Sequence, residues 1–371
     1  GNLTNTAETP DSIVVTNIRS SSSVTLVSNG SITEGDSDFA ADIVASSIIL
    51  SAVSGVGTPG NAIETQTALM EAETTTGGIN IGNFGDLQVG GFSAEVDGLD
   101  VVTSGDITLT NLGTITLSDE TAFDSVHGGG DSGNVTLIAN GFDSDITSNV
   151  DQSSILAPRG SIFLTAGRDV SFGLGGADFN NDVRANNDIV VNAGRDLLLS
   201  GFADFFANGV LGNTGGGIIV NAGRNVSLLD DTGNSAGLAT LGSNGGPIVV
   251  STGPNGVFTL EVPSTNTIFS AASGVTINAD RMIIAGTSGI TAAGDVTLRP
   301  VSEGRAILLG SLTDSAAALE LSDARVEPGR ADDPASGTAP AFVRSLPARR
   351  RRHWSVASSR GCRRTRSGPP A

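Results

Sequence analysis

The amino-acid sequence predicts an all-β solenoid, a right-handed parallel β-helix, with one short helix near 61–73 and a disordered tail. Three observations carry that prediction. The first is an internal repeat. Leu164-Thr165-Ala166-Gly167-Arg168-Asp169-Val170, Val191-Asn192-Ala193-Gly194-Arg195-Asp196-Leu197 and Val220-Asn221-Ala222-Gly223-Arg224-Asn225-Val226 are near-copies, with their glycines 27 and 29 residues apart. A period of that size marks an array of stacked units. The second is texture. Runs of three to five β-branched or aliphatic residues alternate with Gly, Asn, Asp and Ser turns along the chain. The third is composition: 371 residues carry 4% aromatics, no Tyr and 50 Gly. A short unit of this kind cannot bury its own apolar face, and stacking does it instead. Blades of a propeller need longer units, and a hairpin array needs paired strands around two-residue turns. With coils about 4.8 Å apart and about 25 residues each, the array holds on the order of 13 coils in a rod about 60 Å long. Right-handed coiling follows from the handedness of parallel crossovers.

The chain divides into four parts. Residues 1–54 are irregular coils with β runs at Ile13-Val14-Val15, Val24-Thr25-Leu26-Val27 and Ile48-Ile49-Leu50. Residues 55–76 interrupt the rhythm: a Gly-Pro loop leads into Asn61 to Glu73, where Ile63, Leu69 and Met70 among glutamates predict a short covering helix. Residues 77–324 are the repeat array. In Gly105-Asp106-Ile107-Thr108-Leu109-Thr110 and Gly113-Thr114-Ile115-Thr116-Leu117 strict alternation buries one face and exposes the other. Residues 325–371 are an Arg- and Pro-rich tail with 6 of the 13 Pro and the only Cys and Trp; its texture reads as out-of-frame translation.

Charge follows the same division. Residues 1–324 hold 9 Arg and 36 acids, whereas the tail holds 11 Arg and 3 acids. An acidic body argues against nucleic acid or anionic lipid as a partner. All 20 basic residues are Arg, which removes every mechanism that needs a lysine. Cys362 stands alone, so the body has no disulfide framework. No apolar run reaches the roughly 18 residues of a membrane span. No signal peptide is visible and the first residue is Gly, so the chain reads as an internal piece of something longer.

The repeat corners are the sites the sequence singles out: Gly167, Arg168 and Asp169; Gly194, Arg195 and Asp196; Gly223, Arg224 and Asn225. They are expected to be structural, with the glycines at positive φ and the arginines in a surface ladder paired with nearby Asp. Other motifs fail on context. Gly233-Asn234-Ser235-Ala236-Gly237, with His127-Gly128-Gly129-Gly130 upstream, matches an esterase elbow. It lacks the following helix, and the only His after the Ser is His353. Gly55, Gly57 and Gly60 mimic a dinucleotide loop, but Pro59 removes an amide donor and no βαβ unit follows. Two Asx-rich loops offer oxygens to Ca²⁺: Asp124, Asp131, Asp143 and Asp145 around His127, and Asp178, Asn180, Asn181, Asp182 and Asp188. Asx residues are equally ordinary turn formers, so no cofactor is expected and Ca²⁺ is the one ion to look for. No catalytic residue is assigned.

The Ala-Gly-Arg-Asp phrase resembles the repeats of filamentous-haemagglutinin-like exoproteins, the large partners of two-partner secretion. Gly57-Thr58-Pro59-Gly60-Asn61-Ala62-Ile63-Glu64-Thr65 and Gly294-Asp295-Val296-Thr297-Leu298-Arg299-Pro300 resemble further recurring segments of that family. The resemblance covers about residues 55–324. It implies a secreted or surface-exposed, non-catalytic adhesin fragment, extracellular or on a bacterial cell surface. Its implied partners are an outer-membrane transporter and a receptor or glycan on a host or neighbouring cell. The alternative is a carbohydrate-active β-helix enzyme, which requires clustered carboxylates from adjacent coils in a groove.

Overall fold

A computed structural model describes residues 2–4, 11–118, 125–148, 155–173, 181–201, 203–208, 215–229, 239–262, 267–286, 289–309, 318–321, 341–345 and 354–358. The fold is all-β, built of repeating, mostly parallel strands in a solenoid-like arrangement. One column of strands starts at Ile18–Arg19, Ile43–Val44, Ile63–Gln66 and Ile79–Phe84. It continues through Ile107–Leu112, Val135–Ala139, Ile162–Ala166, Ile189–Ala193 and Ile218–Ala222, and ends with Ile248–Ser251, Val275–Asn278 and Val296–Arg299. Each strand pairs in parallel with the strand one repeat away. Ile79, Ile107, Val135, Ile162, Ile189, Ile218, Ile248, Val275 and Val296 therefore stand in one row. Their partners two residues on, from Ile81 and Leu109 to Ile277 and Leu298, form a second row. Every one of these side chains is buried. At roughly 1.5–3 kcal/mol for each buried aliphatic side chain, the rows contribute strongly to cohesion. They belong to one apolar cluster that runs from Val15 to Leu319.

The second sheet has twenty strands and changes character along the chain. It begins as single long strands, Ser23–Ser28, Ser47–Ala52 and Leu69–Thr76. Leu69–Thr76 then receives two partners: Leu87–Val89 pairs with its start and Leu99–Ser104 with its end. The chain between Val89 and Leu99 leaves the sheet as a loop. From there each repeat supplies two strands to this sheet, such as Asp196–Ser200 and Ala203–Ala207. The first column does the reverse. Ile13–Val15 and Ile32–Glu34 form a separate two-stranded ladder beside Ile18–Arg19 and Ile43–Val44. Val56 bridges Ile32 to Ile79, so that the single strand Ile79–Phe84 unites both halves.

Two expectations are corrected. Residues 61–73 form no helix; they are the strand Ile63–Gln66 and most of the strand Leu69–Thr76. Ile63, Thr65, Met70, Ala72 and Thr74 face inward. Neighbours in register, Ile43 beside Thr65 and Ile48 beside Met70, offer ladder bonds. Tertiary pairing thus overrides the helix propensity of Leu, Met, Glu and Ala. Within the tail expected to be disordered, Ala341–Ser345 and Trp354–Ser358 form an antiparallel pair, and the latter pairs with Val296–Arg299. An open edge strand presents unpaired backbone groups, and Trp354–Ser358 takes those of Val296–Arg299. The rest of 325–371 lies outside the described residues.

Candidate functional site

The three repeat corners stack on one another. Arg168 grips Asp145 with two hydrogen bonds, Nε to Oδ1 at 2.8 Å and Nη2 to Oδ2. Arg195 grips Asp169 in the same way, at 2.8 Å for the Nε bond, and Arg224 grips Asp196 at 2.9 Å. Each Asp Oδ1 also accepts the backbone N–H one coil on: Asp169 on Asp145, Asp196 on Asp169, and Asn225 on Asp196. Asn225 Oδ1 extends the chain to Val257 N–H at 3.0 Å. Burial raises the Asp145 and Asp196 carboxyls, but the Arg and backbone hydrogen bonds outweigh it and hold both below the usual Asp range. These charged groups are committed to each other along the stack.

The expected positive φ at Gly167, Gly194 and Gly223 does not occur, since none of the three is among the left-handed glycines. Close approach is what requires them. A Cβ on Gly194 would collide with the carbonyl oxygen of Gly167, and one on Gly223 with that of Gly194. Their neighbours Ala166, Ala193 and Ala222 are buried in a row. In earlier coils the same row is occupied by Thr65, Asn83 and Asn111. There Thr65 Oγ1 donates to Asn83 Oδ1 at 2.9 Å and Asn83 Nδ2 to Asn111 Oδ1 at 2.8 Å.

The candidate calcium loops are occupied otherwise. Asp145 is held by Arg168 and Asp182 by Arg184. Asp188 Oδ1 accepts Gly217 N–H at 2.8 Å, and Asn181 pairs in strand register with Ala203. Asp131 and Asp143 are exposed. Asp124, Asp178 and Asn180 lie outside the described residues, as do Gly233 to Gly237 and His353 of the esterase-like motif. His127 Nδ1 instead sits 2.7 Å from Asp100 Oδ1, and Asp100 stands in register with Glu73. Burial first, then Asp100 and Asp97, push the Glu73 carboxyl up. The dinucleotide-like glycines lead into the strand Ile63–Gln66, so no helix amino-terminus stands there to hold a phosphate.

One cluster of carboxylates and one lone buried glutamate stand outside the sequence motifs. Glu34, Asp42 and Glu64 present oxygens within 4.8 Å of one another. They are 8%, 1% and 9% exposed, deep for acids. Glu34 and Glu64 enter from the strands Ile32–Glu34 and Ile63–Gln66, and Asp42 immediately precedes Ile43–Val44. Both Glu34 oxygens and Glu64 Oε2 are shut from solvent without a hydrogen-bond partner. Burial, then the charges of Glu34 and Asp42, push Glu64 up to about 7. Burial also raises Glu34 and Asp42. The lone glutamate is Glu71, fully buried where the second sheet divides. Its Oε1 accepts Phe92 N–H at 3.1 Å and Ser93 N–H at 3.2 Å, and burial holds the carboxyl above its usual range. The signal for Glu34 was present in the sequence: it shares the strand face of Ile32. Asp42 and Glu64 gave none, because only the stacking of coils brings them to Glu34. An open groove of about 380 Å³, lined by Val44, Ala45, Gln66, Phe84 and Asp86 among others, carries one carboxylate.

No protein-family model, curated protein or solved structure matches this chain.

Proposed function

We propose that the chain is the shaft of a secreted or surface-exposed adhesin, coiled as a right-handed parallel β-helix and without a catalytic role. The observation that carries this reading is the register. Like stacks on like from Ile79 to Val296, and the charged corner residues Arg168, Arg195 and Arg224 are bound to Asp145, Asp169 and Asp196. Side chains spent on stacking serve length and rigidity, and binding is left to outer ladders and loops. By resemblance its partners are an outer-membrane transporter and a cell-surface receptor or glycan, and its place is extracellular or on a bacterial surface. The test is adhesion. Beads coated with the chain should adhere to cells or immobilised glycans in proportion to coating density and release no product from polysaccharides. Equal adherence of uncoated beads overturns the proposal.

A second reading, a carbohydrate-active enzyme, draws on one observation: Glu73, Asp100 and His127 come from three successive strands and stand side by side. The same incubation separates the two. Release of unsaturated or reducing sugar ends that is lost in Asp100→Asn favours the enzyme.

A further inference from the structure

The cluster of Glu34, Asp42 and Glu64 is independent of whether the shaft adheres to anything, and its chemistry points to an ion. Three carboxylates lie within 4.8 Å. Asp42 Oδ2 accepts Glu64 N–H at 3.1 Å. Both oxygens of Glu34 and Oε2 of Glu64 are buried and make no hydrogen bond of ordinary geometry, and the Asp38 backbone N–H offsets the burial of Glu34 only in part. A carboxylate oxygen shut from water without a donor costs several kcal/mol unless a cation or proton compensates it. Among the described residues no Arg or His forms an ion pair with these acids. The nearby Arg19 directs Nη1 to the carbonyl oxygens of Ile18 and Asp42, each at 3.1 Å. Next to the buried trio the chain continues as Glu34-Gly35-Asp36-Ser37-Asp38, and Glu34, Asp36 and Asp38 form a second group within the same limit. Asp36 and Asp38 are exposed, and Asp38 Oδ1 accepts Ala40 N–H at 2.6 Å. A wall of buried oxygens thus meets a solvent-facing rim of two further carboxylates.

We propose that Glu34, Asp42 and Glu64, with Asp36 and Asp38 at the rim, bind one calcium ion. The donor set selects the ion. All five ligands are carboxylates, which excludes the nitrogen and sulfur preferences of zinc and copper. Magnesium demands a regular octahedron and keeps several waters, whereas calcium accepts six to eight oxygens in loose geometry and strips its waters readily. The trio is nearly closed to solvent, and its carboxylates can bind through one oxygen or two. The site lies where the split first column has yet to unite into Ile79–Phe84. A bound ion would tie the strand Ile32–Glu34, the start of Ile43–Val44 and the strand Ile63–Gln66 across two coils.

The test is calorimetric titration of the full chain with calcium chloride at neutral pH after treatment with chelator, alongside thermal melts with and without calcium. One binding event and a higher melting temperature in calcium are expected, with weaker binding of magnesium. Glu34→Gln should weaken calcium binding by at least about tenfold, as expected for loss of a charged ligand. Asp36→Asn with Asp38→Asn should weaken it by about threefold, as expected for partly hydrated ligands. Glu303→Gln, at an exposed acid elsewhere, should leave it unchanged. Absence of heat and of any melting shift in the wild-type chain overturns the proposal and leaves a proton shared among the three acids as the compensating charge. Wild-type affinity in Glu34→Gln, or loss of binding in Glu303→Gln, overturns it equally. Should Glu34→Gln fail to fold, the rim double variant decides: unaltered affinity there overturns the proposal.

Discussion

The coils up to residue 118 and those from residue 125 on solve the same problem by different means. Both must turn the chain at a corner between two sheets and satisfy the backbone there. The earlier coils fill the corner with Thr65, Asn83 and Asn111, whose side chains bond to one another and to Thr67 N–H, Gly85 O and Thr114 O. The later coils place Ala166, Ala193 and Ala222 in that row and let glycine close the corner directly, with Gly194 N–H donating to Ala166 O and Gly223 N–H to Ala193 O at 2.9 Å. Acids diverge in parallel. Glu34, Asp42, Glu64, Glu71 and Glu73 in the earlier coils are all pushed up, chiefly by burial. Asp145 and Asp196 in the later coils are held down by arginine despite burial. A buried acid without a cation and an acid clamped by arginine respond to pH in opposite directions. The lesson is that uniform stacking geometry sets no uniform chemistry; the partner of each polar side chain does.

The comparison can be broken first at a glycine. Gly194→Val places a branched side chain against the Gly167 carbonyl and should destabilise the chain by about 3 kcal/mol or more, read as a large drop in melting temperature. A melt like that of the wild type would mean that the later corners do not need the close approach.

Asp204 sharpens the rule as an exception in the later coils. Burial is the main cause of its rise to about 7, and Asp182 adds to it, against Thr240 and Arg184. A raised carboxyl contributes stability that is complete below its unfolded pKa near 3.8 and is lost as pH rises through 7. Asp204→Asn should therefore flatten a decline of at most about 1.4 kcal/mol per pH unit, the limit for one proton. Denaturant melts from acid to neutral pH measure it, and parallel curves for variant and wild type refute it.

Glu71→Gln keeps the acceptor for Phe92 and Ser93 while removing the charge. Glu71 is raised, so the wild type loses stability as pH rises above 4.5 and the variant does not. The variant should be the more stable at neutral pH by more than the roughly 0.5 kcal/mol typical of surface changes, and equal to wild type in acid. Asp196→Asn should behave oppositely. A depressed carboxyl contributes stability above 3.8 that is lost as pH falls through its lower folded value. The variant should cost about 1 kcal/mol at neutral pH and nothing in strong acid. If both variants respond to pH with the same sign, the regional contrast fails. The smallest effect is expected at Gly60→Ala, where a Cβ meets nothing within 4 Å, with a change inside about 0.5 kcal/mol.

Much of the architecture was legible in the sequence. Alternation in Ile107-Thr108-Leu109 and Ile115-Thr116-Leu117 gave the strands and their inward faces, because side chains on a strand point to opposite sides. The Gly-Arg-Asp phrase located the corners for the same local reason. The segment 61–73 misled, because Leu69-Met70-Glu71-Ala72 carries helix propensity and only the flanking coils supply the ladder that overrides it. Gly167, Gly194 and Gly223 were legible as obligatory glycines, but the reason lies between coils, in the carbonyl one step away, and not in the φ of the residue itself.

By itself, then, the sequence determined that this chain is made of short stacked strands, since period and alternation are properties of neighbouring residues. Which side chains meet was decided only in three dimensions. Glu34 and Glu64 are thirty positions apart in the chain, yet register across coils sets them side by side with Asp42. Arg195 likewise reaches past its adjacent Asp196 to take Asp169 in both of its close hydrogen bonds. Stacking converts a separation of one coil into one strand spacing of about 4.8 Å, and neither composition nor motif carries that information.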